Sequence, residues 1–192
     1  MKKSVGVAVI VVCLLSGGAV IGQTDTTEVI KVILSSFSAK QFAAQPVSES
    51  AIEQILLSGI KAPSARNSQP WRFTVLTDVT KAPGIVRSPQ PGNVVILISG
   101  QEAEQPGITV EFDCALATAN MYLAAQSLGL GAHIYTGPVQ SINTTMRDSL
   151  HIPKGYRVVA VLQIGVLASG VDATSSASPR KPMEELVNYV PE

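Results

Sequence analysis

Two stretches of this 192-residue chain concentrate side chains that could do chemistry. The first is Ser36-Phe37-Ser38-Ala39-Lys40-Gln41-Phe42. Hydroxyls beside an ammonium group can hold a phosphate, although a solvated loop has the same composition. The second is Ala62-Pro63-Ser64-Ala65-Arg66-Asn67-Ser68-Gln69-Pro70-Trp71. A plain helix-to-strand turn does not need so many amide and hydroxyl groups together. Loops of this kind present donors to a planar polar ligand.

Other chemistries are missing. There is no Gly-x-Ser-x-Gly elbow and no Gly-x4-Gly-Lys-Ser/Thr phosphate loop. Gly129-Leu130-Gly131 follows a helical stretch, so it reads as a helix stop rather than a dinucleotide fingerprint. Beyond Cys13 the chain holds only Cys114, with His133 and His151. That set cannot close a four-ligand zinc site, and no metal site or catalytic residue is assigned. Cys114 lies in an apolar helical pattern and reads as a buried small hydrophobe. Both histidines read as structural. Asn143-Thr144-Thr145 is a glycosylation sequon by pattern only.

Fourteen basic residues balance fourteen acidic ones, and apolar residues make up 46%. The composition is globular, and the charge balance argues against a nucleic-acid partner. Met1-Lys2-Lys3 followed by uncharged Val5–Ile21 reads as a secretory signal peptide over residues 1–22, cut ahead of Gln23. An uncleaved anchor is the alternative. The first reading leaves residues 23–192 as one exported domain, periplasmic or secreted, with no stable membrane span after cleavage.

The elements that must position the two clusters follow from periodicity. Val29–Leu34 suits a short helix. Ser48 suits the N-cap of a second helix carrying Ile52, Ile55, Leu56 and Ile60, with Gly59 near its stop. Trp71–Thr77 alternates like a strand, and Asn93–Ser99 is apolar enough to be buried on both faces. Between them, Asp78–Gly92 is a Pro- and Gly-rich connector. Thr109–Leu128 is the longest helical signal, with alanines that allow close helix approach. A short strand over Ala132–Thr136, a helix over Pro138–His151 and a strand over Arg157–Leu167 complete the domain. Pro182–Val190 is a tail. The order predicts a three-layer α+β domain around a central four- or five-stranded sheet, with the Asn93 and Arg157 strands in the middle. Trp71 reads as a core anchor, and Met121 and Tyr122 as core or subunit contacts.

Pro63-Ser64-Ala65-Arg66-Asn67-Ser68-Gln69-Pro70-Trp71 resembles the Pro-Ser-x-x-Asn-x-Gln-Pro-Trp segment of the flavin-dependent nitroreductase family. Ser38-Ala39-Lys40-Gln41-Phe42 is similar to that family's phosphate segment. Ala124–Gly131, Tyr156–Gly165 and Arg180-Lys181-Pro182 resemble its later signatures. The resemblance implies a mostly antiparallel α+β fold, a homodimer and FMN at its interface. It also implies ping-pong hydride transfer from a nicotinamide donor, NAD(P)H, to a nitro, quinone or similar small-molecule acceptor.

Carried over by position, the resemblance places Ser38, Lys40 and Arg180 on the FMN phosphate. Pro63, Ser64, Ala65 and Asn67 would line the ring or ribityl chain, from the other subunit, with Gln69 supporting the loop or binding the cofactor. Thr136 and Gly137 match the strand end whose backbone approaches the flavin. Two departures stand out. Ser36 occupies the place of an expected phosphate-binding Arg, and the Asp78–Gly92 connector lacks an identifiable ring-contacting residue. An exported flavin-binding or non-catalytic relative, or a binding module without flavin, are the alternative readings.

Overall fold

The computed structural model describes residues 27–79, 83–102, 109–173 and 179–190. The signal-peptide reading of residues 1–22 lies outside them, as do parts of the connectors around residues 80–82, 103–108 and 174–178. The elements run α1 (Glu28–Ser35), α2 (Glu49–Ile60), β1 (Trp71–Leu76), β2 (Val94–Gln101), α3 (Val110–Ser127), β3 (Gly131–Tyr135), α4 (Val139–Ser141), β4 (Tyr156–Gly165) and α5 (Met183–Leu186).

The four strands form one antiparallel sheet in the order β1-β2-β4-β3. The two most apolar strands are therefore central, as expected. Ile96, Ile98, Leu162 and Ile164 face α2 and α3, where they meet Ile55, Cys114, Ala117, Met121 and Ala125. Val95, Leu97 and Val161 face the other way, onto Ile142, Leu150, Ile152, Val79 and Ile85. Burial on both faces explains why Val94–Ile98 shows no alternation. The domain is a three-layer α+β structure. Ile98 pairs with Ala160 and Ser99 with Val158, so Val159 is the extra residue of a bulge.

Local chemistry sets the helix ends. The Ser48 hydroxyl caps α2 by accepting the Ala51 N–H at 3.3 Å. Helix α3 stops in a Schellman arrangement: Leu130 N–H reaches Ala125 O, Gly129 N–H reaches Gln126 O, and Gly129 takes φ +74°. Small residues let α2 and α3 approach closely. A Cβ on Gly59 would come within 2.7 Å of the Met121 side chain.

One expected element is different. Pro138–His151 is not a continuous helix; a three-residue α4 widens into a π-type turn over Ile142–Met146 and then into successive turns. The Asn143 amide explains the break, because it pairs with both backbone groups of Val158, each at 2.8 Å. Ser141, Thr144 and Thr145 hydroxyls also bond carbonyls three or four residues back, competing with regular helix. His151 takes φ +51° in the last turn, rather than ending a helix. Strand β4 ends at Gly165, short of Leu167, because the chain turns there to pair Leu167 with Phe42.

Candidate functional site

The Ser36–Phe42 cluster lies along the outer edge of β3. Phe37 N–H donates to Gln126 Oε1 at 2.9 Å, Ala39 N–H donates to Ala132 O at 3.0 Å, and Ser38 bridges Ala132. Ala39 and Phe42 are buried, whereas Ser38 and Lys40, on either side of Ala39, are exposed on one short segment. This close approach depends on Gly131. A Cβ there would meet Leu167 Cδ2 at 2.5 Å and Ala39 Cβ at 2.9 Å.

Beneath the segment lies a polar network. His133 Nδ1 is 2.9 Å from Ala39 O, and since a carbonyl only accepts, Nδ1 carries the proton. The His133 ring sits 4.3 Å from the Tyr135 ring. The Tyr135 hydroxyl donates to Gln163 Oε1 at 2.8 Å, and Gln163 Nε2 donates to Asn93 Oδ1 at 2.9 Å. Val86, within the connector, packs against the same apolar cluster as Tyr135. Burial lowers the His133 pKa from its ordinary value, the nearby Lys40 and Arg87 cations lower it further, and the bond to Ala39 acts against them. Burial raises that of Tyr135.

The second cluster forms a strained loop at the other end of α3. Arg66, Asn67 and Gln69 adopt φ of +54°, +54° and +46°. Such conformations cost about 1–3 kcal/mol each outside glycine and concentrate at binding sites. Asp113, only 2% exposed, accepts the Ala65 N–H at 3.1 and 3.2 Å and the Ser68 hydroxyl at 3.4 Å. Gln69 N–H donates to Ser64 Oγ at 3.0 Å, and Gln69 Nε2 lies 3.3 Å from Asn67 Oδ1. Pro63, Ser64 and Ala65 line a surface hollow with Phe112 and Leu116. Trp71 is buried as the anchor that follows.

Thr136 and Gly137 follow β3 and are exposed. Nothing lies within 4 Å of where a Gly137 Cβ would be, so the backbone there faces open space. Arg180 is exposed on the segment leading into α5.

The two clusters do not meet within one chain. Asp113 and Gln126, which hold them, stand about 20 Å apart along α3 at 1.5 Å per residue. The strand flanking each cluster, β1 or β3, is also an opposite edge of the sheet. Sequence reasoning gave no role to Asp113, Gln126, Arg87 or the Asn93–Gln163–Tyr135 network. The available signal was a charge or amide at a position whose neighbours are all apolar, as Asp113 and Gln163 are.

A family model described as the nitroreductase family matches residues 33–85 and 87–166. The chain belongs to the nitroreductase family. A protein of Methanothermobacter thermautotrophicus, assigned as an NADH dehydrogenase/NAD(P)H nitroreductase, is 29% identical over 154 residues, covering 75% of this chain and 80% of that one. A structure from Desulfovibrio desulfuricans, of a protein assigned as a nitroreductase in complex with FMN, is 29% identical with a TM-score of 0.72. It covers 86% of this chain and 98% of that one. A nitroreductase from Bacteroides fragilis with bound FMN shares the fold at 20% identity and TM-score 0.72, covering 86% of this chain and all of the other. Within this nitroreductase-family chain, both polar clusters fall inside the matched residues, whereas Arg180 lies beyond them.

Proposed function

We propose that this chain is an FMN-dependent oxidoreductase, working by a ping-pong transfer of hydride. The donor is NAD(P)H or another reductant, and the acceptor is a nitro compound, a quinone or a similar small molecule. The observation that carries this reading is the pairing of an exposed hydroxyl–ammonium segment, Ser38–Lys40, with a strained, donor-rich loop, Pro63–Gln69. The first suits a phosphate dianion and the second a planar polar ring. Two further features fit the cofactor. Gly137 leaves open space at the strand end, and Gln126 Nε2, beside Phe37, is a buried donor without a partner among the described residues.

In this reading Ser38, Lys40 and Arg180 hold the phosphate. Pro63, Ser64, Ala65 and Asn67 border the ring and ribityl chain, and Gln69 braces that loop. The backbone at Thr136 and Gly137 approaches the ring. Bound FMN supplies the hydride-accepting and hydride-donating centre. The protein's work is then binding and orientation, which accounts for a site built of donors rather than of an acid–base pair.

The separation along α3 supports a homodimer, because one ligand can touch both clusters only if the second copy supplies one of them. Exposed Val29, Leu34, Leu57, Ile60, Phe112 and Leu128 provide apolar surface on the three long helices for that contact. The reading of residues 1–22 as a signal peptide, with 23–192 as an exported domain, extends the proposal. A partner that delivers electrons outside the cytoplasm then replaces NAD(P)H as donor.

The deciding experiment is the absorbance spectrum of the purified protein before and after FMN incubation and desalting, with size-exclusion light scattering. The expected result is retained flavin bands at two per dimer, bleached by anaerobic NAD(P)H or dithionite. A colourless monomer that releases all FMN would overturn the reading.

A further inference from the structure

The phosphate segment begins one cation short. Ser36 turns its hydroxyl back onto Ile33 O at 2.9 Å, where it closes the end of α1 and offers no positive charge. The fold brings another cation to the same place from far along the chain. Val86, next to Arg87, packs against the same apolar cluster as Tyr135, the Tyr135 ring lies 4.3 Å from the His133 ring, and His133 Nδ1 lies 2.9 Å from Ala39 O, between Ser38 and Lys40. This chain of contacts ties the connector that carries residue 87 to the segment at the open edge of β3. The Arg87 side chain is exposed there. Its charge is felt at both rings, as that of Lys40 is at His133.

We propose that Arg87 is the missing cation of the phosphate subsite, acting with Ser38 and Lys40 on the FMN phosphate. The inference rests on the FMN reading given above. A guanidinium suits this place better than an ammonium, since its planar fork can bind two phosphate oxygens at once. The connector is then a cofactor-binding element. The Asn93–Gln163–Tyr135 network has a purpose as well: it fastens the connector to the sheet, with Gln90 N–H joining at Asn93 Oδ1 at 3.1 Å.

The test compares FMN with riboflavin, which differ only in the phosphate. Dissociation constants come from flavin fluorescence quenching by the full chain, for the wild type, R87Q, R87K and K40Q. Melting curves check folding, which R87Q should preserve because the Arg87 side chain is exposed. The expected result is a wild type that prefers FMN. R87Q loses about tenfold or more in FMN affinity with riboflavin affinity unchanged, and R87K recovers part of the loss. If K40Q weakens FMN binding but R87Q does not, the inference fails and the FMN reading stands. Equal weakening of both flavins by R87Q also overturns it, since the effect then comes through the connector's position. A wild type that binds neither flavin removes the FMN reading and this inference together.

Discussion

Asp113 and Gln126 lie near opposite ends of the same helix, about 20 Å apart, and each holds one half of the candidate site. Asp113 grips the backbone of the Pro63–Gln69 loop through Ala65 N–H. Gln126 grips the backbone of the Ser36–Phe42 segment through Phe37 N–H. Both are long-range contacts made by polar side chains at or near the buried surface of α3, so the helix sets the spacing of the half-sites as a rigid spacer. Under the proposed function, a single chain then presents two partial sites and a pair of chains completes two whole ones.

Asp113→Ala should loosen one half without touching the other. The substitution leaves the Ala65 N–H and Ser68 hydroxyl without an acceptor and removes the restraint on three left-handed residues. The expected cost is about 1–3 kcal/mol of stability, read from the urea midpoint. Limited proteolysis should cut more rapidly within residues 63–69. Unchanged cleavage there would show that Asp113 does not hold the loop.

The two glycines bracketing β3 should behave oppositely. Gly131→Ala drives a methyl group into Leu167 and Ala39, so the segment carrying Ser38 and Lys40 must lift. A loss of about 1–3 kcal/mol is expected, with weaker flavin binding. Gly137→Ala meets open space and has no left-handed φ to strain. Its stability should stay within about 0.5 kcal/mol of wild type. Under the proposed function its flavin affinity should still fall. Thermal melts and flavin titrations of both variants separate the two effects.

His133 predicts a pH dependence. Its pKa in the folded chain lies below the ordinary 6.5, first because it is buried and then because Lys40 and Arg87 oppose its protonation. The unfolded chain therefore binds more protons across the window between the lowered value and 6.5. Stability should fall as pH drops through that window and rise on returning above it. The His133→Gln variant should flatten this limb in urea titrations between about pH 5 and pH 8. Bound phosphate should shift the His133 pKa upward, which imidazole NMR resonances report directly.

Cys114 should be inert in the native state. Burial, with the neighbouring Asp113 carboxylate, pushes its thiol up to about 12, and the side chain is fully buried. At about pH 8 almost no thiolate forms, so iodoacetamide should modify Cys114 only as fast as the protein unfolds. Mass mapping of the Cys114 peptide, with and without urea, measures this. Prompt labelling without denaturant would show that the α3–sheet interface opens locally.

Regular elements were legible wherever local pattern and final environment agree. Ser48 announced its helix because a hydroxyl before an apolar period is itself the cap. Val94–Ile98 announced a central strand because burial on both faces demands an unbroken apolar run. The loop at Pro63–Trp71 was legible as a donor-rich loop because its donors are adjacent in the chain. The Pro138–His151 segment misled because the partner that breaks its helix, the Val158 backbone, lies on another strand.

The residue order alone determined the fold class, the strands that occupy the middle of the sheet and the family to which the chain belongs. These follow from contacts between near neighbours in sequence and from the periodic burial of apolar side chains. Tertiary structure decided what the polar residues do. Asp113 became the anchor of a strained loop, and His133 the partner of Ala39 between Ser38 and Lys40. Each of those pairings spans roughly fifty to a hundred residues, so only the packing of β3 against β4 and of α3 across the sheet could bring them together.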